Sequence, residues 1–332
     1  MHTFQHTDDN SMELSPGERD RLASFLAAHA FDPYASRDRM EDFLAESVLV
    51  TQALPARCLK ALKRFRSHGN RDGALLIRGL PIAEPRLGPT PSHWSIEAQK
   101  KTSYEAEMCL VGCASPLGEV FSFLSQHGGN LIQNIVPVAG DSHAQVGTSS
   151  RVFLEWHVED AFSDMRADYL GLLCLRSDPE AITSFASIRR LDIPEPHRSV
   201  LFEERFLIGV DGAHGRWAEG RAWSPGAILH GDREDPLLRL DLVFMKPRED
   251  DPEAAAAFNA IAPRLEREAR ALVLEPGDLL FLDNRRVIHA RSAFTPRGDG
   301  TDRWLQRALI TADLRKMSGA RRRGLRVLDV LG

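Results

Sequence analysis

The chain has 332 residues, 43% of them hydrophobic, and a formal net charge of -5. That is apolar material for one large core or two modest ones, and the balance gives no push toward nucleic acid or an anionic membrane surface. Four scattered cysteines (Cys58, Cys109, Cys113, Cys174) form no disulfide framework, and no apolar run approaches a membrane span, so a soluble protein of a reducing, cytoplasmic setting is expected.

Residues 1–14 are polar, with no apolar signal region, and read as a flexible N-terminus. From Ser15, "SPGERDRLASFLAAHA" predicts a capped helix, because apolar residues recur at helical spacing behind a Ser-Pro start. "MEDFLAESVLVTQALPARCLKALKRFRSHG" predicts two amphipathic helices broken near Pro55, and "GALLIRGLPI" the first strand. A proline-rich loop follows from Pro85 to Pro91. Further on, "SRVFLEWHVEDAF" and "ADYLGLLCLR" predict strands, the second a near-continuous apolar run that must be buried on both faces. Asp211 to Pro236 carries Gly, Trp and charge without clean periodicity, which suits a lid over a site. "DPEAAAAFNAIAPRLEREARAL" predicts a helix, "LVLEPGDLLFLDNRRVIHAR" turn, strand, turn and strand, and the basic tail after Arg315 a solvated end.

The chemistry sits in three places. His157 and Glu159, two apart on a predicted strand, project from one face. His289, on a distant strand, adds a second imidazole. Two histidines and one carboxylate fill one face of an iron(II) octahedron and leave the opposite positions for a co-substrate and O2. Two ligand-bearing strands separated by a long insertion is how an antiparallel double-stranded barrel assembles a metal site, and ligands spread this widely favour a single domain. Just beyond His289, Arg303, Leu305 and Arg307 share a strand face. Two guanidinium groups beside an iron imply two small carboxylates to hold, with Arg291 a competing anion binder.

The order His157-x-Glu159, His289, Arg303, Arg307 resembles the clavaminate-synthase-like branch of Fe(II)/2-oxoglutarate oxygenases. It is similar in particular to enzymes that hydroxylate free L-arginine, L-asparagine or L-lysine. The resemblance runs from about Gln126 to Asp313, carried most specifically by "LEWHVEDAF", "DYLGLLCLR" and "RWLQRALI". It implies a mainly β fold with flanking helices, in which residues 15–332 form a single oxygenase domain. A double-stranded β-helix (jelly-roll) core would occupy roughly residues 75–315, with helical N-terminal support and a lid near 211–236.

It implies iron on His157, Glu159 and His289, 2-oxoglutarate with its distal carboxylate on Arg303 and Thr183 nearby, and the substrate α-carboxylate on Arg307. The α-amino group would meet Gln126 and Glu159, and the side chain Asp241 and the lid residue Asp211. Arginine-type relatives carry an Asp-x-Asp pair where this chain has Asp241 and Val243, which weakens arginine as the substrate and leaves lysine, ornithine, citrulline or an amide open. The expected reaction is hydroxylation at Cβ or Cγ of a basic or amide L-amino acid, releasing succinate and CO2.

Rival readings stand beside these. Asp241 could be an acid paired with Arg239, Gln126 an ordinary buried amide, and Ser184 could serve for Thr183. His127, His143 and His230 read as turn or surface residues, and Cys109 with Cys113 makes no zinc site without a second pair. A carrier-bound or modified substrate, held by a carrier protein, is an alternative, as is desaturation. So are a cupin-type metalloenzyme that uses no 2-oxoglutarate and a non-catalytic binding protein.

Overall fold

The structure, a computed structural model, describes residues 2–7, 9–321 and 326–329. Residues 322–325 and 330–332 of the basic tail lie outside the described residues. The apolar run at 169–176 forms the strand Tyr169–Arg176, central in an eight-stranded sheet, with Trp304–Thr311 and Leu279–Asp283 as its neighbours. Alternation along these strands separates two surfaces. Leu173, Leu175, Leu279, Phe281, Trp304 and Ile310 pack outward against the helices Pro16–His29, Arg37–Ser47, Ala56–His68 and Glu105–Ala114. Leu170, Leu172, Leu280, Leu282, Leu305 and Leu309 face inward and meet Phe185 and Val287 of a second sheet.

That second sheet runs His2–Thr3, Arg270–Leu272, Thr183–Ser187, Val287–Arg291, Leu154–His157 in spatial order. Its outer residues Ala186, Ile188, Ile288 and Ala290 pack with Ala254, Ala257 and Leu265 of the helices Pro252–Asn259 and Ala262–Glu268. The protein is thus mostly β, two sheets closing on a shared core, with helices outside both.

Four expectations change. The N-terminal stretch, expected to be flexible, supplies two strands to the sheets: His2–Thr3 pairs with Arg270–Leu272 and Ser11–Glu13 with Ala74–Arg78. The polar sequence conceals Phe4 and Leu14, both buried, and Phe4 meets the Phe185 ring edge-on at 5.4 Å. The helix expected over 251–272 breaks after Asn259 and restarts at Ala262, with Pro263 in its first turn, where a missing N–H costs nothing. Its last residues form the strand Arg270–Leu272 instead, since pairing with Thr183–Ser187 outweighs helix propensity. The second predicted pair of helices contains an extra short one, Val50–Ala53, ahead of the break at Pro55. Finally, only part of 211–236 stays irregular. Ser224–Gly226 pairs with Phe206–Ile208, and Ile228 and Leu229 are fully buried, so the part that lines the cavity between the sheets is Asp211–Trp217.

Candidate active site

Between the sheets lies a cavity of about 640 Å³. Val287–Arg291 and Leu154–His157 pair antiparallel with His289 opposite His157, so the two imidazoles leave the same face with ring centroids 4.3 Å apart. Glu159 stands beyond the end of its strand, not on it as the spacing predicts. It reaches the same point because Asn284 clamps its backbone. Asn284 Oδ1 accepts from Glu159 N at 2.8 Å, while its Nδ2 donates to the carbonyls of Glu159 at 3.0 Å and Ala167 at 3.1 Å. Asp160 follows with φ +54°, a left-handed turn that takes the chain away.

Ligand atoms of His157, Glu159 and His289 all lie within 4.8 Å of one another. His157 Nδ1 sits 2.7 Å from the Glu155 carbonyl, which only accepts, so Nδ1 carries the proton and Nε2 keeps its lone pair. Burial, with His157 and Arg307 nearby, holds His289 well below its ordinary pKa and keeps it neutral. Glu159 Oε2 is buried with no hydrogen-bond partner, 3.8 Å from His289 Nε2. An orphaned carboxylate oxygen facing two imidazole lone pairs fits a divalent first-row metal, and the open side fits iron(II) with further ligands.

Arg303, Leu305 and Arg307 line the cavity together. Arg307 donates Nε and Nη2 to Gln133 Oε1 at 2.8 and 2.6 Å and Nη1 to Glu159 Oε1. Arg303 is 7% exposed and has no ion-pair partner among the described residues; burial pulls its guanidinium down to about 10. Arg291 is likewise pulled down to about 9 by burial and then by Arg303; it donates to Ser149 O at 2.6 Å and Ser149 Oγ at 2.9 Å, while its Nε is buried without a partner. Among the described residues, the buried cavity guanidinium left without a hydrogen-bond or ion-pair partner is therefore Arg303. Thr183, the cross-strand partner of Arg291, lines the cavity, whereas Ser184 does not.

Asp211 and Asp241 also line it. Asp241 Oδ1 accepts from Val243 N and Phe244 N, both at 2.8 Å, and burial raises its pKa. The rival pairing fails, because Arg239 binds Asp164. Asp211 Oδ1 accepts from Ala213 N at 2.8 Å, and burial pushes its carboxyl up to about 7. Gln126 is not brought to the cavity wall: it is fully buried between Asp160 and Gln133. His127, expected in a turn, does line the cavity, with a buried, unpartnered Nδ1 and φ +47°. Asn284, Gln133 and Asp160 escape sequence reading. A tight "LDNRR" turn after a buried strand is the one signal that marks Asn284.

Two imidazoles and a carboxylate around one buried point, in a wall that also holds an unpaired guanidinium, make a non-haem iron oxygenase centre. The chain belongs to the taurine catabolism dioxygenase TauD, TfdA family, whose model matches residues 45–309. It is 36% identical over 303 residues to the enduracididine beta-hydroxylase of Streptomyces hygroscopicus, covering 84% of this chain and 88% of that protein. It is 34% identical to the L-ornithine/L-arginine 3-hydroxylase of Catenulispora acidiphila, covering 95% of this chain and 96% of that one. In structure it is similar to an asparagine oxygenase in complex with Fe(II), 2S,3S-3-hydroxyasparagine and succinate. The TM-score is 0.86 and the identity 30%, over 96% of this chain and 99% of that one.

Proposed function

We propose that the protein is an Fe(II)/2-oxoglutarate-dependent hydroxylase of a free L-amino acid with a basic or amide side chain, acting at Cβ or Cγ and releasing succinate and CO2. One observation carries this reading. The two-histidine, one-carboxylate set and a buried guanidinium with no ion-pair partner among the described residues face the same cavity. A solitary buried cation is costly unless an anion arrives to meet it.

When bound, iron(II) with 2-oxoglutarate and O2 supplies the oxidation of an unactivated C–H bond. His157, Glu159 and His289 would hold it. Arg303 takes the distal carboxylate of 2-oxoglutarate as a bidentate fork, with the Thr183 hydroxyl beside it. Arg307, oriented by Gln133, takes the substrate α-carboxylate, and Glu159 lies close enough to Arg307 to take the α-amino group. Holding both backbone groups presents the near end of the side chain to the metal. Asp211 and Asp241 each spend one oxygen on backbone N–H groups and keep the other for donors at the side-chain end. Asp211–Trp217 closes the opening against water.

Residues 15–332 act as a single oxygenase domain. The two sheets are the two walls of a double-stranded β-helix, the jelly roll, over roughly 75–315. No helix among the described residues is long and apolar enough to cross a membrane, and we place the enzyme in the cytoplasm, without nucleic-acid or membrane partners. The test is succinate formation and gain of one oxygen in the product, with Fe(II) and 2-oxoglutarate, across L-arginine, L-ornithine, L-lysine, L-citrulline and L-asparagine. Turnover of one of them is expected. Silence from an iron-loaded protein overturns the free-amino-acid reading in favour of a carrier-bound substrate, and failure to bind iron overturns the ligand set.

A further inference from the structure

Arg303 has to keep its aim without a partner. Among the described residues it has no hydrogen bond or ion pair, and an acid placed to steady it would compete with the anion it receives. Its direction must come from the backbone on either side.

Sheet pairing alone does not supply that direction. The ladder between Trp304–Thr311 and Ile132–Ile135 begins at Leu305, so Arg303 and Trp304 lie past its end. On the other side Trp304 pairs with Arg176 but Leu305 with Cys174, so Leu175 is an extra residue and the register shifts there. A bulge of this kind interrupts the ladder and re-aims the side chains around it. Arg307, by contrast, is paired on both sides, with Gln133 and with Leu172.

The segment 84–107, outside the sheet, takes over where the ladder stops. Thr90 Oγ1 donates to the Asp302 carbonyl at 2.6 Å, and Thr90 N to the Gly300 carbonyl at 2.7 Å. Arg176 ties the same segment down, donating to Thr90 Oγ1 at 3.0 Å, the Gly88 carbonyl at 2.6 Å and Glu84 Oε1 at 2.7 Å. On the other side of Arg303, Trp304 is fully buried, and its Nε1 donates to Asn134 Oδ1 at 3.0 Å. The Lys101 ammonium lies 5.6 Å from the centre of the Trp304 ring and donates to the two Glu107 carboxylate oxygens at 2.7 and 2.6 Å. Both side chains are wholly buried, and Glu107 Oε1 also accepts from Gln306 Nε2 at 2.8 Å. Replacing a buried ion pair by apolar residues is often neutral or stabilising, so adhesion of the helix Glu105–Ala114 to the sheet does not account for these charges. A cation fixed over an indole does something that apolar packing does not: it sets where the ring lies.

We propose that Lys101 and Glu107 are positioning residues for Arg303, acting through the indole of Trp304, while Thr90 holds the backbone on the other side. Together they aim the guanidinium at the place of the distal carboxylate of 2-oxoglutarate. Arg307 is aimed by its own ladder and does not need them. This role presupposes that Arg303 is the anchor of the co-substrate.

The experiment titrates 2-oxoglutarate calorimetrically into the full-length, Fe(II)-loaded protein under argon. Lys101→Met combined with Glu107→Gln removes both charges and keeps the lysine stem and an acceptor for Gln306. In this double variant the Kd for 2-oxoglutarate should rise about tenfold, the loss expected of a misdirected bidentate contact. The KM for whichever of L-arginine, L-ornithine, L-lysine, L-citrulline and L-asparagine is turned over should stay within about twofold. Trp304→Phe, which removes the indole N–H, should weaken 2-oxoglutarate roughly three- to fivefold. In an Arg303→Met background, already about 100-fold weaker, the double variant should add less than about twofold, since residues that act through one guanidinium are not additive. A defect of general stability would weaken both backgrounds alike. Wild-type affinity for 2-oxoglutarate in a folded double variant overturns the role, and if a melting scan shows that variant unfolded, wild-type affinity in Trp304→Phe does so. Equal losses for 2-oxoglutarate and the amino acid, or full additivity with Arg303→Met, also overturn it. Wild-type affinity in Arg303→Met itself would instead overturn the anchor, and with it the reading of the site on which the role depends.

Discussion

In the proposed role of Arg303 as holder of the co-substrate, binding comes at a cost in stability, and the size of that cost follows from its surroundings. A fall of its pKa from 12.5 to about 10 through burial corresponds to roughly 3 kcal/mol against the charged form in the fold. The sign is fixed by the direction. The folded value lies below the unfolded one, so the penalty is present in full at neutral pH, where both states are charged, and is relieved only above about pH 10. Arg303→Met removes the charge and keeps much of the stem. After subtraction of lost packing, including the guanidinium over the Phe294 ring at 6.0 Å, the ligand-free variant should gain about 1–2 kcal/mol, a rise of a few degrees in Tm. The same change should raise the 2-oxoglutarate requirement about 100-fold, the worth of a bidentate charge-assisted contact, while the amino-acid KM stays within about twofold. Scanning calorimetry and succinate initial rates measure the two halves. A variant less stable than wild type would refute the burial argument. Equal rises in both requirements would mean that Arg303 and Arg307 have been assigned to each other's ligand.

Replacing His157 or His289 by Ala should abolish iron-dependent turnover and lower iron content on metal analysis to near background; a variant that retains both would remove the ligand set. Asn284→Ala should leave His157 and His289 paired but loosen Glu159, weakening iron affinity or kcat by about 10–100-fold in equilibrium dialysis and rate assays; wild-type values would show that the clamp is idle. Burial, with Arg166, Arg239 and Arg285 nearby, holds His230 down to about 4, and burial lowers His127 and His289 as well. Their unfolded forms bind protons first, so the metal-free Tm should fall as pH drops below about 6.5, and His230→Gln should flatten that fall. His214 works against the trend: burial pushes it down, yet Asp160 and then Asp211 and Glu159 raise it overall.

Much of the site was legible because its chemistry is short-range in sequence or tied to strand parity. The parity shared by Arg303, Leu305 and Arg307 places those side chains on one cavity wall without knowledge of the fold, and the His157-x-Glu159 motif marks the metal pair even though Glu159 leaves the strand. A near-continuous apolar run also marked the buried strand at 169–176. What escaped depends on contacts between segments far apart. Asn284 reads as a turn residue until the chain that follows His157 is brought beside it, 125 positions away in sequence. The partners that orient Gln126, namely Asp160 and Gln133, likewise emerge only from the fold. The N-terminal stretch looks unstructured on average, yet His2–Thr3 and Ser11–Glu13 pair at sheet edges and Phe4 and Leu14 are buried, since a strand needs few anchors when a sheet edge is waiting. The helix over 251–272 failed for the opposite reason: its strong local preference is overruled by a strand partner.

The turn at Asp283–Arg286 acts as a common origin for the metal centre. Asn284 sets the height of Glu159, and five residues along the same chain His289 stands opposite His157. All three donors are therefore measured from one short turn, and a sliding of the two sheets would carry them together as one body. Other walls of the cavity hang instead on the separate segments 141–148 and 211–217. Those walls are free to be recut for new substrates while the iron's coordination stays where it was.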